Sequence, residues 1–251
     1  MGALRAPRPE LVGRGKDRRG LMPAYDPIAD WYATQSRTGS LRRFHDNLAR
    51  RLLGMAGDVC GRRVLDAGCG EGHVARLFAR HGAKVVAVDI SPRLLEHARA
   101  LEDKDPHGIE FVARDLATGL PSHQGAFDLA TANMMLDDCE DLAGVLRGIA
   151  DALKPNGRLL LSLNNPYALV TRGKVDDYFA SGPLTQTFGT DRAEYQVPFY
   201  YRTFEEWIAA FRQAGFLIRS LVDVPSDPSD PHLPDDPVPK IMVLDLVRHD
   251  A

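Results

Sequence analysis

Seven consecutive residues, Asp66-Ala67-Gly68-Cys69-Gly70-Glu71-Gly72, set one carboxylate ahead of three glycines at alternate positions. Glycine lets a backbone turn tightly and approach a ligand with no Cβ in the way. A helix starting just after such a loop offers its unpaired N–H groups. Seventeen residues after Gly72, Asp89 closes the run Lys84–Asp89. A carboxylate at such a strand end can accept hydrogen bonds from ribose hydroxyls. A third run ends in Arg114-Asp115-Leu116, where Asp115 can accept from an adenine amino group. Singly, each feature is weak: a glycine loop is often only a turn, and an Asp at a strand end is often a cap. Three in the right order describe a cleft for a nucleoside-bearing ligand.

The elements that must position these residues follow from periodicity. Tyr25–Tyr32 reads as a short amphipathic segment. Leu41–Met55 reads as a helix, with Leu41, Phe44, Leu48, Leu52 and Met55 at three- and four-residue steps. Strands are expected at 63–67, 84–89, 109–113, 127–132, 157–163, 216–223 and 241–248. Helices are expected at 73–81, from 92 to about 101, at 142–153 with Pro155 as its stop, and at 203–215. Ser91 suits an N-cap and Pro92 the first helical position. Alternating strands and helices imply an α/β fold: a Rossmann-like, doubly wound, seven-stranded, mainly parallel sheet covered on both faces. Residues 165–202 break the alternation and read as an inserted lid after strand 5. A Pro/Asp-rich loop fills 225–239.

Composition bounds the rest. The 251 residues carry a formal charge of -3, with 44% apolar residues. That suits a single domain with a sizeable core. It argues against a basic field for nucleic acid or a membrane surface. No apolar run reaches transmembrane length. Cys60, Cys69 and Cys139 are sparse and lack C-x-x-C spacing, so neither a disulfide framework nor a metal site is indicated, and a reducing cytoplasm is the simplest compartment. Residues 1–22 hold six cations against two acids and little apolar period, and read as a disordered basic extension outside a single domain at 23–251. Translation from Met22 is an alternative start.

The motifs taken together resemble those of class I methyltransferases that use S-adenosylmethionine, of the bacterial small-molecule type. Val64–Gly72 is similar to their first motif, Val86–Ser91 to the acidic motif after it, and Phe111–Leu116 to the adenine-contacting motif. Phe127–Leu136 and Leu153–Ser162 resemble the fourth-strand motif and the turn and strand that follow. The resemblance spans about residues 60–165. It implies that Gly68, Cys69 and Gly70 lie under the methionine part of the cofactor, with Asp66 near its amino group. It implies that Asp89 holds the ribose, that Ile90 packs on adenine, and that Asp115 and Leu116 read the adenine edge. It also implies that Asn133 lies near the methionine amino group and Tyr32 near its carboxylate.

The acceptor is expected to be a small molecule, in a pocket carried by the lid. Tyr178-Phe179 and Val197–Thr203 resemble the lid of bacterial small-molecule members. Those members often place one His before the Pro and another before the Arg. Here the places hold Asn165 and Tyr201, so Asn165, Tyr178, Tyr201 and Arg202 are the substrate candidates, with no catalytic base assigned. Aromatics there also suit a plain pocket wall. Asn164-Asn165-Pro166-Tyr167 looks like the N-P-P-Y loop of amino-methylating nucleic-acid enzymes, but it follows the fifth strand rather than the fourth. The rival reading, a nicotinamide oxidoreductase, wants G-x-G-x-x-G, and His73 stands at the third place. A non-catalytic cofactor-binding subunit is a further alternative.

Overall fold

The computed structural model describes residues 23–189, 194–233 and 235–249. The basic extension and the alternative start at Met22 lie outside the described residues. A short 3-10 turn at Asp26–Ile28 leads into α1 (Ala29–Arg37) and α2 (Arg42–Ala56). The expected alternation follows: β1 (Arg63–Ala67), α3 (His73–Arg80), β2 (Lys84–Asp89), α4 (Pro92–Glu102), β3 (Glu110–Ala113), β4 (Phe127–Asn133), α5 (Leu142–Ala152) and β5 (Leu153–Asn164). Next come α6 (Pro166–Thr171), β6 (Gly182–Gly189), β7 (Glu194–Tyr201), α7 (Phe204–Gln213), β8 (Phe216–Val224) and β9 (Ile241–Arg248).

Seven strands form one sheet in the order β3-β2-β1-β4-β5-β9-β8. Its core strands are parallel, and β9 runs antiparallel to both β5 and β8. The strand order reverses between β1 and β4, which opens a crevice at the carboxyl ends of the parallel strands. Successive residues of one strand serve opposite cores: Leu65 and Val86 pack with α5 and α7, while Val64 and Val85 pack with α2 and α3. That is why these strands read as unbroken apolar runs.

Local chemistry sets the helix ends. Ser91 accepts from the Leu94 N–H at 3.1 Å, and Pro92 opens α4. Thr203 and Glu206 form a reciprocal capping box on α7; such a cap contributes about 1 kcal/mol. Arg158 in β5 pairs with both carboxylate oxygens of Asp245 at 3.0 and 2.8 Å. Its other donors reach the carbonyls of Met55 and Ala56, so one guanidinium satisfies the end of α2 against the sheet.

Two sequence expectations shift. The helix before Pro155 ends at Ala152, and the strand starts at Leu153 rather than Gly157. Pro155, which cannot donate, sits where the β4–β5 register shifts between Phe127 and Leu129. Residues 165–202, expected as an inserted lid, carry regular elements of their own. They hold α6 and a separate antiparallel hairpin, β6–β7, whose Phe188 ring lies 5.6 Å from Trp31, 6.2 Å from Tyr25 and 6.4 Å from Tyr32.

Candidate functional site

The loop after β1 is shaped by positive backbone angles. Gly68 has φ 67°, and a Cβ there would stand 2.7 Å from Met135 Cβ. Gly70 has φ 55°, and a Cβ there would meet nothing within 4 Å. The first glycine is dictated by close packing, the second leaves open space. The Gly70 N–H donates to Asp89 Oδ2 at 2.7 Å, and the Ser91 N–H donates to Asp89 Oδ1 at 2.8 Å. Asp89 is thereby fixed across the β1 and β2 strand ends. Burial raises its pKa, and these two backbone donors pull the other way.

A cavity of about 270 Å³ occupies the crevice. Gly68, Gly70, Asp89 and Ile90 line one side, and Asp115, Leu116, Asn133 and Tyr32 line the rest with Met134, Met135 and Asp138. Ile90 is 54% exposed, an unusual state for a large apolar side chain beside a cleft. Asp115 Oδ1 accepts from the Ala117 N–H at 2.9 Å, and Asn133 Oδ1 accepts from Ser162 Oγ at 2.6 Å. Two of the expected residues stand apart from this lining. The Asp66 carboxylate lies beneath the loop, accepting from the Ala75 N–H and Thr131 Oγ1, with its pKa raised by burial to about 7. Cys69 is buried in the core beside α2 and α3.

A second, larger cavity of about 650 Å³ adjoins the first. Tyr25, Tyr32, Met134 and Asp138 line both. Met134 holds φ 54°, a left-handed conformation uncommon outside glycine and frequent at functional sites. Its N–H donates to the Ser162 carbonyl at 3.1 Å, which holds the turn in place. Tyr25 Oη donates to Asp138 Oδ2 at 2.9 Å. Burial raises the Asp138 pKa to about 8; the Tyr25 hydrogen bond lowers it, while Asp137 and Asp89 raise it further. The neighbouring Asp137 rises to about 6 through burial, moderated by donors from Asn164.

None of the four expected substrate residues lines either cavity. Asn165 Oδ1 caps α6 through the Tyr167 N–H, and its Nδ2 donates to the Pro239 carbonyl. The Tyr201 hydroxyl, in a residue only 1% exposed, donates to the Tyr178 carbonyl at 3.0 Å. Tyr178 Oη in turn accepts from the Phe204 N–H. Arg202 donates to the Leu136 and Cys139 carbonyls and lies 5.2 Å from the Trp207 ring. These side chains brace the insertion. Asn followed by Pro is itself a helix-start pattern, so the sequence did contain the signal for the Asn165 cap.

The larger cavity is lined instead by residues from scattered elements: Phe44 and His45 of α2, Asp137, Arg172 and Lys174 after α6, Phe188 of the hairpin, and His232 and Lys240 of the Pro-rich loop. Burial lowers the His45 pKa to about 3, with His73 and His232 acting the same way, so its imidazole is neutral. His45 could be placed on α2 from the sequence, but only the fold turns it into the cavity. The adjacent acids Asp137-Asp138 after the Met134–Leu136 run were the other legible signal.

Residues 65–161 match the family described as methyltransferase domain. The ubiquinone biosynthesis O-methyltransferase of Xanthomonas oryzae pv. oryzae is 35% identical over 108 residues, which are 43% of this chain and 45% of that protein. The match therefore spans less than half the length of that relative. An S-adenosylmethionine dependent methyltransferase from Mesorhizobium loti superposes with a TM-score of 0.67 at 27% identity, covering 81% of this chain and 100% of that one. Burkholderia thailandensis 1,6-didemethyltoxoflavin-N1-methyltransferase, solved with 1,6-didemethyltoxoflavin and S-adenosylhomocysteine, shares the fold with a TM-score of 0.58 at 20% identity and 92% coverage of both chains.

Proposed function

We propose that this chain, whose residues 65–161 match a methyltransferase domain, is a class I S-adenosylmethionine-dependent methyltransferase that methylates a hydroxyl of a small molecule. One observation carries the reading: a nucleoside-type cavity and a roomier second cavity meet at Tyr25, Tyr32, Met134 and Asp138. A cofactor in the first and an acceptor in the second would face each other across those four residues. The oxidoreductase alternative finds no support among the relatives described above.

The residues present fit the cofactor. Gly70 leaves space where any side chain would intrude, and Asp89 is held in place by two backbone donors. Asp89 would hold the ribose, Ile90 and Leu116 would flank the adenine, and Asp115 would read its edge. Gly68, Gly70 and Asn133 would border the methionine part, with Tyr32 closing over it. Asp66 would act one layer down, holding the start of α3 beneath the loop.

When bound between these residues, S-adenosylmethionine would supply an electrophilic methyl group with a neutral thioether sulfur as its leaving group. Asp138 is placed to take the hydroxyl proton onto its carboxylate. A base whose pKa sits near the working pH suits that role, and burial has brought Asp138 to about 8. The Tyr25 hydroxyl favours its ionised form by donating to it. Alignment of the two ligands is worth roughly 7–11 kcal/mol in such displacements. The hairpin supports that alignment, because Phe188 packs on Tyr25, Trp31 and Tyr32 and lines the acceptor cavity. We read residues 165–202 as the lid of a single domain. Among the described residues, no helix is long and apolar enough to cross a membrane.

The test is calorimetric titration with S-adenosylhomocysteine, with NADH as rival ligand and Asp89→Ala as control. Micromolar binding of the homocysteine derivative that the substitution abolishes is the expected result. Binding of NADH alone would overturn the reading.

A further inference from the structure

The acceptor cavity is electrically lopsided. Asp138 marks the side shared with the cofactor crevice, with Asp137 next to it, while Arg172 and Lys174 stand near Lys240 in the lining of the same cavity. Among the described residues, no carboxylate lies within hydrogen-bond distance of any of these three cations. Arg172 faces Asp236 through an open ion pair of 3.7 Å, and its Nη1 is buried without a hydrogen-bond partner. Lys240 Nζ spends one donor on the His232 carbonyl at 3.1 Å and lies 5.6 Å from the Phe44 ring. Lys174 makes no ion pair among the described residues. His232, in the same lining, keeps Nε2 buried and unpartnered. Neither Arg172 nor Lys240 bonds to Asp137 or Asp138.

Cations crowded into a partly desolvated wall are unfavourable unless something pairs with them. Burial lowers the Lys240 pKa, and repulsion from Arg172 and then Lys174 adds to it. Asp230, nearby in the loop, opposes this more strongly than Lys174 adds to it; its Oδ1 accepts from the His232 N–H, and its Oδ2 is buried without a hydrogen-bond partner. A planar guanidinium with two ammonium groups matches an oxyanion, since its donors fit carboxylate or phosphate geometry. The rest of the lining sets Phe44, Phe188 and Phe199 and the shared tyrosines among Leu41, Leu169, Leu184 and the polar run Thr185–Thr187. The volume suits a metabolite rather than a polymer.

Resting on the methyltransferase reading above, we propose that the acceptor is a hydroxylated aromatic acid. Its carboxylate or phosphate lies against Arg172, Lys174 and Lys240, its ring lies among the phenylalanines, and its hydroxyl reaches Asp138. Charge at one place and a reactive hydroxyl at another fix the orientation, so the oxyanion selects which hydroxyl is methylated.

The experiment offers matched pairs to the full chain with methyl-labelled S-adenosylmethionine. One set holds hydroxybenzoic and hydroxycinnamic acids and hydroxyaryl phosphates. The other holds their neutral methyl esters and amides. The expected result is that the charged set reacts with kcat/KM at least tenfold higher, and the carboxylate and phosphate arms tell which oxyanion is preferred. Lys240→Met and Arg172→Met should each raise KM for the charged acceptor at least tenfold, change kcat less than threefold, and leave S-adenosylhomocysteine affinity within twofold. Neutral acceptors reacting as well as charged ones would overturn the proposal. So would a charged set left untouched by an enzyme that binds S-adenosylhomocysteine. Failure to bind that compound would instead sink the parent reading.

Discussion

The hydroxyl of Tyr25 donates to Oδ2 of Asp138 across 2.9 Å, joining residues 113 apart in sequence at the place where the two cavities meet. This bond couples the entry of the chain to the loop after β4. If Asp138 is the base, kcat/KM rises with pH and levels off above about 8, where burial has brought its pKa. Asp138→Asn should cost about 10²–10⁴ in rate and remove that limb. Tyr25→Phe removes a donor that favours the carboxylate, so its limb should move to higher pH. A pH profile unchanged in both variants would exclude Asp138 from the chemistry.

Asp89 uses its carboxylate to accept from Gly70 and Ser91. Asp89→Asn puts a donor where an acceptor is needed and also weakens the ribose contact. Charged hydrogen bonds of this kind are worth about 1.5–3 kcal/mol, so S-adenosylhomocysteine affinity should fall by about 10- to 100-fold. Isothermal calorimetry reads this directly, and an unchanged Kd would move the cofactor elsewhere.

The division between what the sequence disclosed and what it hid has a physical cause. Asp66–Gly72 and Asp89 could be read from the sequence because they sit at the ends of β1 and β2, buried parallel strands that form apolar runs, while Asp115 follows the partly buried edge strand β3. Strand ends in this topology converge on one crevice, so placing the strands placed the residues. The acceptor cavity offered no such register. Arg172, His232 and Lys240 come from turns without periodicity, and only long-range packing of the Pro-rich loop against α2 brings them together. Tyr201 and Arg202 were singled out by a resemblance to other lids, and a resemblance in sequence does not disclose that their polar atoms bond to the Tyr178, Leu136 and Cys139 carbonyls.

Three buried acids, Asp138 where the cavities meet, Asp137 in the second cavity and Asp66 behind the glycine loop, make stability depend on pH. Burial raises Asp66 to about 7, Asp137 to about 6 and Asp138 to about 8. Between the ordinary carboxylate range and these values, the folded protein holds protons that the unfolded chain has released. Stability therefore falls as pH rises through that window and is level above it. His45, lowered to about 3 by burial, works in the opposite sense below about 6.5. The unmixed window is thus from about 6.5 to 8.5. Calorimetric Tm should decline across it in the wild type and less steeply in Asp138→Asn, which should be the more stable protein at pH 8.5. Parallel declines would place the proton release elsewhere. A variant stabilised by losing its base would also show that the site is held at a cost to the fold.

Tyr201 is the residue for which sequence and structure suggest opposite experiments. Its place before Arg202, where similar lids often hold a His, suggested a substrate contact, yet its ring is packed beside Val175 and Phe199, and its hydroxyl is used by the Tyr178 carbonyl. Tyr201→Phe keeps the packing and deletes one buried hydrogen bond, a loss of about 1 kcal/mol. For a domain of this size that lowers Tm by about 2–4 °C. Turnover and KM should stay within twofold, because nothing from this side chain reaches either cavity. A tenfold fall in kcat with Tm unchanged would return Tyr201 to the chemistry, and would mean that the β6–β7 hairpin moves far enough in the working complex to free its hydroxyl from Tyr178.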